Sequence, residues 1–246
     1  MQISRPGLLK ACMFSAAVAL LGSPEFVCAQ TATVASAHSV AIEGTWIPEA
    51  YSERLLTADG TPPPLTDEGA AIYAKHAAAR GERDRQYDRT RWCAGAGMPR
   101  MMFLPYPFEI RADGEYVGFI YGWYRWHRMV DMTGRPADPI LPQTMGYPVG
   151  EWDGDTLVVK TVGLSDETVM DAMGLPQSDE LTLTERIKTL SDGRLEVRFT
   201  IDDPRYYSRP WEAVMTYRRA SDVTVGDDVC PDRLVLGEDS IRNTLP

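Results

Sequence analysis

The sequence predicts a mainly β protein: an antiparallel β-barrel or strongly curled sheet, lipocalin-like, with one N-terminal helix and long Pro-rich loops. Three observations predict it. From Phe108 onward, apolar residues recur with period two rather than 3.6. Asp113-Gly114, Asp153-Gly154 and Asp192-Gly193 each separate two such runs, which is the hairpin pattern. No helical segments alternate with the strands, so a parallel α/β layout is disfavoured. Seven to nine strands joined as hairpins remove their edges by closing or curling.

The chain opens on the pattern of an export signal. Arg5 and Lys10 precede the apolar run "ACMFSAAVALLG", which is too short to span a bilayer, and Val27-Cys28-Ala29 has the small residues of a cleavage site. Residues 1–29 are expected to be a signal peptide, which places the protein in the periplasm or outside the cell. Residues 30–40 are small and polar and expected to be disordered. Residues 41–246 are expected to form a single β-barrel-like domain.

"IEGTWIPE" reads as a first strand, and "TADGTPPPLT" as a loop, because three consecutive prolines fit neither a helix nor a central strand. Thr66 is a helix N-cap with Asp67 and Glu68 in the first turn. The helix runs through "EGAAIYAKHAAAR" and frays towards Arg89. "WCAGAGMPRMMFLPYP" reads as irregular.

Charge and cysteine content limit the function. Of 25 basic and 35 acidic residues, cleavage removes Arg5, Lys10 and Glu25, which leaves 23 and 34, a net of −11. Such a chain repels phosphate backbones and anionic headgroups, so nucleic-acid binding is not expected; no segment after the signal is apolar enough to span a bilayer, so membrane insertion is not expected either. Oligomeric state is not legible. Cys12 and Cys28 lie in the signal. Cys93 and Cys230 then form either one disulfide, as is usual in an exported chain, or two buried free thiols. No GxSxG, HExxH or CxxC motif is present, and of three histidines His38 lies in the expected tail. "CAGAGMPR" lacks the third glycine and the strand–helix frame of a nucleotide loop. Asp153 and Asp155 are explained by a turn rather than by calcium. Neither metal nor cofactor is expected.

Alternation assigns the faces of the strands. Leu195, Val197, Phe199 and Ile201 share an inward face. Leu181, Leu183 and Ile187 share another, and Glu185 is in phase with them. A carboxylate among aliphatics is either a structural ion pair or an acid/base group. Read as one strand, "FIYGWYRWHRMVD" carries Phe119, Tyr121, Trp123, Arg125, His127, Met129 and Asp131 on one face, and Ile120, Gly122, Tyr124, Trp126, Arg128 and Val130 on the other. The first face has the composition of a pocket wall. The alternative is aromatic packing with Arg125 and His127 at a wet end.

"GTW", "MGYPVGEWDGDTLVVKTVG", "GLPQSDELTLTERI" and "TIDDPRYYSRPW" together resemble a family of exported bacterial β-rich, lipocalin-like proteins to which no reaction is assigned. The resemblance spans Gly44 to Trp211. It implies an extracytoplasmic β fold. Ser178, Asp179, Glu185, Arg186, Asp202, Tyr207, Arg209 and Trp211 match the family pattern, and Gln177 stands where the family usually has His.

The leading functional expectation is a cofactor-free lyase, isomerase or decarboxylase acting on a small apolar or aromatic molecule inside the barrel. Glu185, His127 and Tyr121 would be catalytic, and Trp123, Arg125, Asp131, Gln177, Asp179, Tyr207, Arg209 and Trp211 would bind substrate. The alternatives are a non-catalytic periplasmic carrier of the same kind of molecule and a structural envelope protein with a filled barrel.

Overall fold

The computed structural model describes residues 41–241 apart from 83, 125 and 227. The expected signal peptide, the expected disordered start and the candidate Arg125 lie outside the described residues.

Nine strands form one closed barrel in sequence order: β1 (Gly44–Pro48), β2 (Phe108–Ala112), β3 (Tyr116–Tyr121), β4 (His127–Asp131), β5 (Tyr147–Asp153), β6 (Thr156–Val162), β7 (Thr182–Thr189), β8 (Leu195–Asp202) and β9 (Trp211–Arg219). β9 pairs with β1 antiparallel to close the ring. A closed ring of nine up-and-down strands cannot alternate direction all the way round, so one neighbouring pair has to run parallel. That pair is β4 and β5, matched only at Asp131 and Val149. A parallel connection needs a crossover of about a dozen residues or more, and 132–146 supplies it with Pro136, Pro139 and Pro142. All three Asp-Gly turns join hairpins, and Gly114, Gly154 and Gly193 have the positive φ such turns require (96°, 62° and 84°).

Helix α1 (Asp67–Gly81) begins where expected, with the Thr66 hydroxyl accepting from the Gly69 N–H at 3.2 Å. It ends at Gly81 and does not continue to Arg89. A 3₁₀ turn (Arg89–Trp92) leads into the stretch expected to be irregular, which holds a single helical turn, α2 (Arg100–Phe103), and a further short helix, α3 (Cys230–Val235), lies near the end. Their brevity hides them from a periodicity reading. No helix among the described residues is long and apolar enough to cross a membrane.

Side chains fill the barrel. Trp46, Phe108, Phe119, Phe199, Leu157, Leu183, Ile187, Val197 and Tyr217 are buried on its inner face. Helix α2 closes one end: Tyr121 donates to Met102 Sδ at 3.4 Å, Tyr217 donates to the Met102 carbonyl at 2.9 Å, and Phe103 packs on Phe199 at 4.9 Å between ring centroids. The sulfurs of Cys93 and Cys230 lie at disulfide distance, with Cα atoms 5.8 Å apart across 137 residues of sequence. The bridge ties the segment leading into α2 to α3.

Candidate functional site

Glu185 lies on β7 between Leu183 and Ile187, pointing inward and fully buried. Its partner is Arg128, also buried. The guanidinium donates to both carboxylate oxygens, Nη1 to Oε2 at 2.5 Å and Nη2 to Oε1 at 3.1 Å, and it lies 4.6 Å from the centroid of the Phe119 ring. Burial works against the charge on Arg128, but the Glu185 carboxylate outweighs it and holds the Arg128 pKa above its ordinary value. This is a closed bidentate pair. Glu185 lines none of the cavities described below.

Strict alternation along one strand puts His127 on the same face as Phe119 and Arg128 on the opposite one. "FIYGWYRWHRMVD" is two strands, not one. The chain reverses between Tyr121 and His127, with Tyr124 at φ 47° and the Tyr121 N–H donating to the Trp126 carbonyl at 2.9 Å. Phe119 then lies opposite Arg128, and Ile120 opposite His127. Cross-strand partners share a face, so Arg128 and Val130 turn inward while His127 and Met129 turn out to solvent.

The other candidate residues are dispersed. Tyr121 is buried at the α2 end, and burial raises its pKa. Trp123 is buried with Nε1 donating to the Ser240 carbonyl at 2.9 Å. Asp131 pairs with Arg135 at 2.9 Å on the outside. Asp179 and Arg209 are exposed. Gln177 is buried, and its Nε2 donates to the Ser165 carbonyl and the Thr168 hydroxyl, both at 2.9 Å. Tyr207 donates to the Pro176 carbonyl at 2.7 Å and packs on Trp211. Ser178 donates through its N–H and hydroxyl to Asp203, at 2.7 and 2.8 Å. Ser178 and Tyr207 fasten residues 176–178 to the 203–207 turn, and Gln177 fastens them to 165–168. They do not converge on a shared space.

Open space occurs instead where strand pairing fails. The β1–β9 ladder stops at Pro48, and from Thr216 back to Trp211 β9 keeps β8 on one side but meets only single backbone bonds, from Glu49 and Ala58, on the other. Beside that gap lies a cavity of ≈ 200 Å³. Leu55, Phe103, Leu104, Met170, Val214 and Met215 give it apolar walls, and Tyr51, Arg54, Arg100 and Asp171 add polar groups. Val214 and Met215 point to opposite faces of β9, so both reach one cavity only because it sits at the strand's edge.

Asp171 holds this region together. Its Oδ2 accepts from the Leu55 N–H at 3.1 Å and the Tyr73 hydroxyl at 2.9 Å, and its Oδ1 accepts from the N–H groups of Met173 and Leu175, each at 2.9 Å. Burial, and then the Asp171 charge, raise the Tyr73 pKa. Burial also raises that of Tyr51. Arg100 pairs in bidentate fashion with buried Asp88 at 2.8 and 3.0 Å. Burial pushes the Asp88 carboxyl up, but Arg100 and Thr90 prevail and hold it well below the usual carboxylate range.

A second opening, of ≈ 570 Å³, lies along the parallel β4–β5 seam, with His127, Met129, Gln143, Thr144 and Glu167 in its walls. It is wider and more polar, and no group of three or more His, Cys, Asp or Glu with metal-holding geometry occurs among the described residues.

No protein-family model matches the chain, and no curated protein matches it. The site therefore rests on its own geometry. Sequence reasoning missed Asp171, Arg100, Tyr51 and Tyr73. One signal marks where the strand leaves its ladder, though not the cavity: Pro48 has no N–H for a ladder bond and ends β1, and no Gly or Pro turn follows it until Gly60.

Proposed function

We propose that the protein is a carrier that binds a small apolar or aromatic molecule in the cavity beside the β1–β9 gap, outside the cytoplasm. The observation that carries this reading is the cavity itself: apolar walls with a few polar groups, in a barrel whose interior is otherwise packed with side chains. The acidic surface and the Cys93–Cys230 pair agree with an exported protein. A proton-transfer role for Glu185 has less support, because both its oxygens are occupied by Arg128. Its support is for the structural ion pair.

Calorimetric titration with 1-naphthol tests the reading. A ligand of that size in an apolar pocket binds in the range of tens of µM, roughly 6 kcal/mol. Binding is expected to be saturable and one-to-one, and to be lost in Met215→Trp, which fills the cavity. No saturable binding, or binding untouched by that substitution, would refute it.

A further inference from the structure

The backbone at the cavity narrows the ligand class. On β9, residues 212, 214 and 216 direct their N–H and C=O groups away from β8, towards the side where β1 would continue. The Thr216 carbonyl accepts from the Glu49 N–H at 3.1 Å, and the Glu212 carbonyl accepts from the Ala58 N–H at 2.7 Å. Between them, Val214 has no backbone partner among the described residues on that side. The β1 register sets Ile47 opposite Arg218, so Tyr51 would stand opposite Val214 and Glu53 opposite Glu212. Ala58 is there instead of Glu53, an excess of five residues.

That excess leaves the wall, and other partners hold it away. The Leu55 N–H donates to Asp171 at 3.1 Å, and the Glu53 carbonyl accepts from the Ala172 N–H at 3.0 Å. These two backbone groups of the excursion are thus satisfied without β9. Val214 keeps an adjacent donor and acceptor, spaced as in any strand and facing an apolar cavity of ≈ 200 Å³. Backbone polar groups next to apolar space gain most from a partner with matching geometry.

We propose that the ligand is a small apolar lactam, whose cis amide carries its C=O and N–H on one edge: the C=O accepts from the Val214 N–H while the N–H donates to the Val214 carbonyl. It fills the rung left open on β9 between the Glu49–Thr216 and Ala58–Glu212 bonds and places its aromatic or aliphatic body against Phe103, Leu104 and Met215. This inference rests on the carrier reading and gives it a chemical class.

The test compares two matched probes, the lactam 3,4-dihydroquinolin-2-one and its cyclic ester dihydrocoumarin, by calorimetry on the whole protein. They differ in one N–H. The ester is the more apolar, so a cavity without a matching acceptor prefers it. The proposal expects the reverse: the amide binds about 10-fold more tightly, the scale of one net hydrogen bond and the polar desolvation it offsets. Val214→Pro removes the donor from the rung and is expected to weaken both probes about 3–10-fold. If that variant does not fold, a backbone ester in place of the Val214 amide makes the same deletion with the side chain kept. Equal affinities, or a preference for the ester, would overturn the amide proposal while leaving the carrier reading standing. Failure of both probes and of 1-naphthol would overturn the two together.

Discussion

Glu185 and Asp171 are both buried carboxylates, yet they mark opposite kinds of place. Glu185 sits mid-ladder on β7, paired by backbone to β6 on one side and β8 on the other. Everything around it is packed, and one guanidinium takes both oxygens. Asp171 sits on a connecting segment, and its oxygens accept from three backbone N–H groups and a tyrosine. The bond from the Leu55 N–H, with that from the Ala172 N–H to the Glu53 carbonyl, holds the excursion between Glu49 and Ala58 off β9, beside an open cavity. Burial of an acid is therefore a poor guide to a site in this barrel. The failure of strand pairing is a better one.

Breaking the two acids apart should show the contrast most strongly. Arg128→Leu leaves Glu185 buried without its cation, a change that costs about 3–5 kcal/mol. Adding Glu185→Leu is expected to recover most of that loss, because two apolar groups can replace a buried pair. Chemical denaturation measures both, and 1-naphthol affinity of the folded double variant should stay close to wild type. The disulfide is next: Cys93→Ser is expected to cost about 2–4 kcal/mol, since the bridge closes a loop of 137 residues. Asp171→Ala should cost less, roughly 2–3 kcal/mol for the lost charge-assisted bonds, but should abolish 1-naphthol binding by releasing residues 53–55. A stability loss with unchanged binding would show that the excursion keeps its place without Asp171.

The pairing of Asp88 with Arg100 gives a pH effect near the same cavity. Its folded pKa lies below the unfolded value of about 3.9. The folded state therefore binds fewer protons, and the stabilisation is complete above that value and declines as the pH falls below about 4, with a slope of at most about 1.4 kcal/mol per pH unit. Acid denaturation of Asp88→Asn should lack this component. The smallest effect expected is for His127→Ala: the side chain faces solvent on β4, so stability should move by no more than about 0.5 kcal/mol.

The strands were legible because each hairpin carried its own Asp-Gly turn and each inward face its own alternation. Glu185 could be placed on the inner face for that reason, between Leu183 and Ile187. The register failed at "YGWYRW", where the chain reverses without an Asp-Gly or Asn-Gly pair and Tyr124 takes the positive φ. One missed reversal exchanged Arg128 for His127 as the inward residue. The cavity was not legible at all, because it is made by what a strand does not do. Nothing local in "AYSERLLTA" states that its backbone will be satisfied by Asp171 and Ala172, more than a hundred residues later.

Anomalous diffraction from a crystal soaked in 4-iodophenol tests most directly where this protein binds. The account expects one iodine peak beside the β1–β9 gap, within van der Waals contact of Phe103 and Met215, and an unperturbed Arg128–Glu185 pair. An iodine peak inside the barrel against Arg128 and Glu185, with that pair separated, would contradict it.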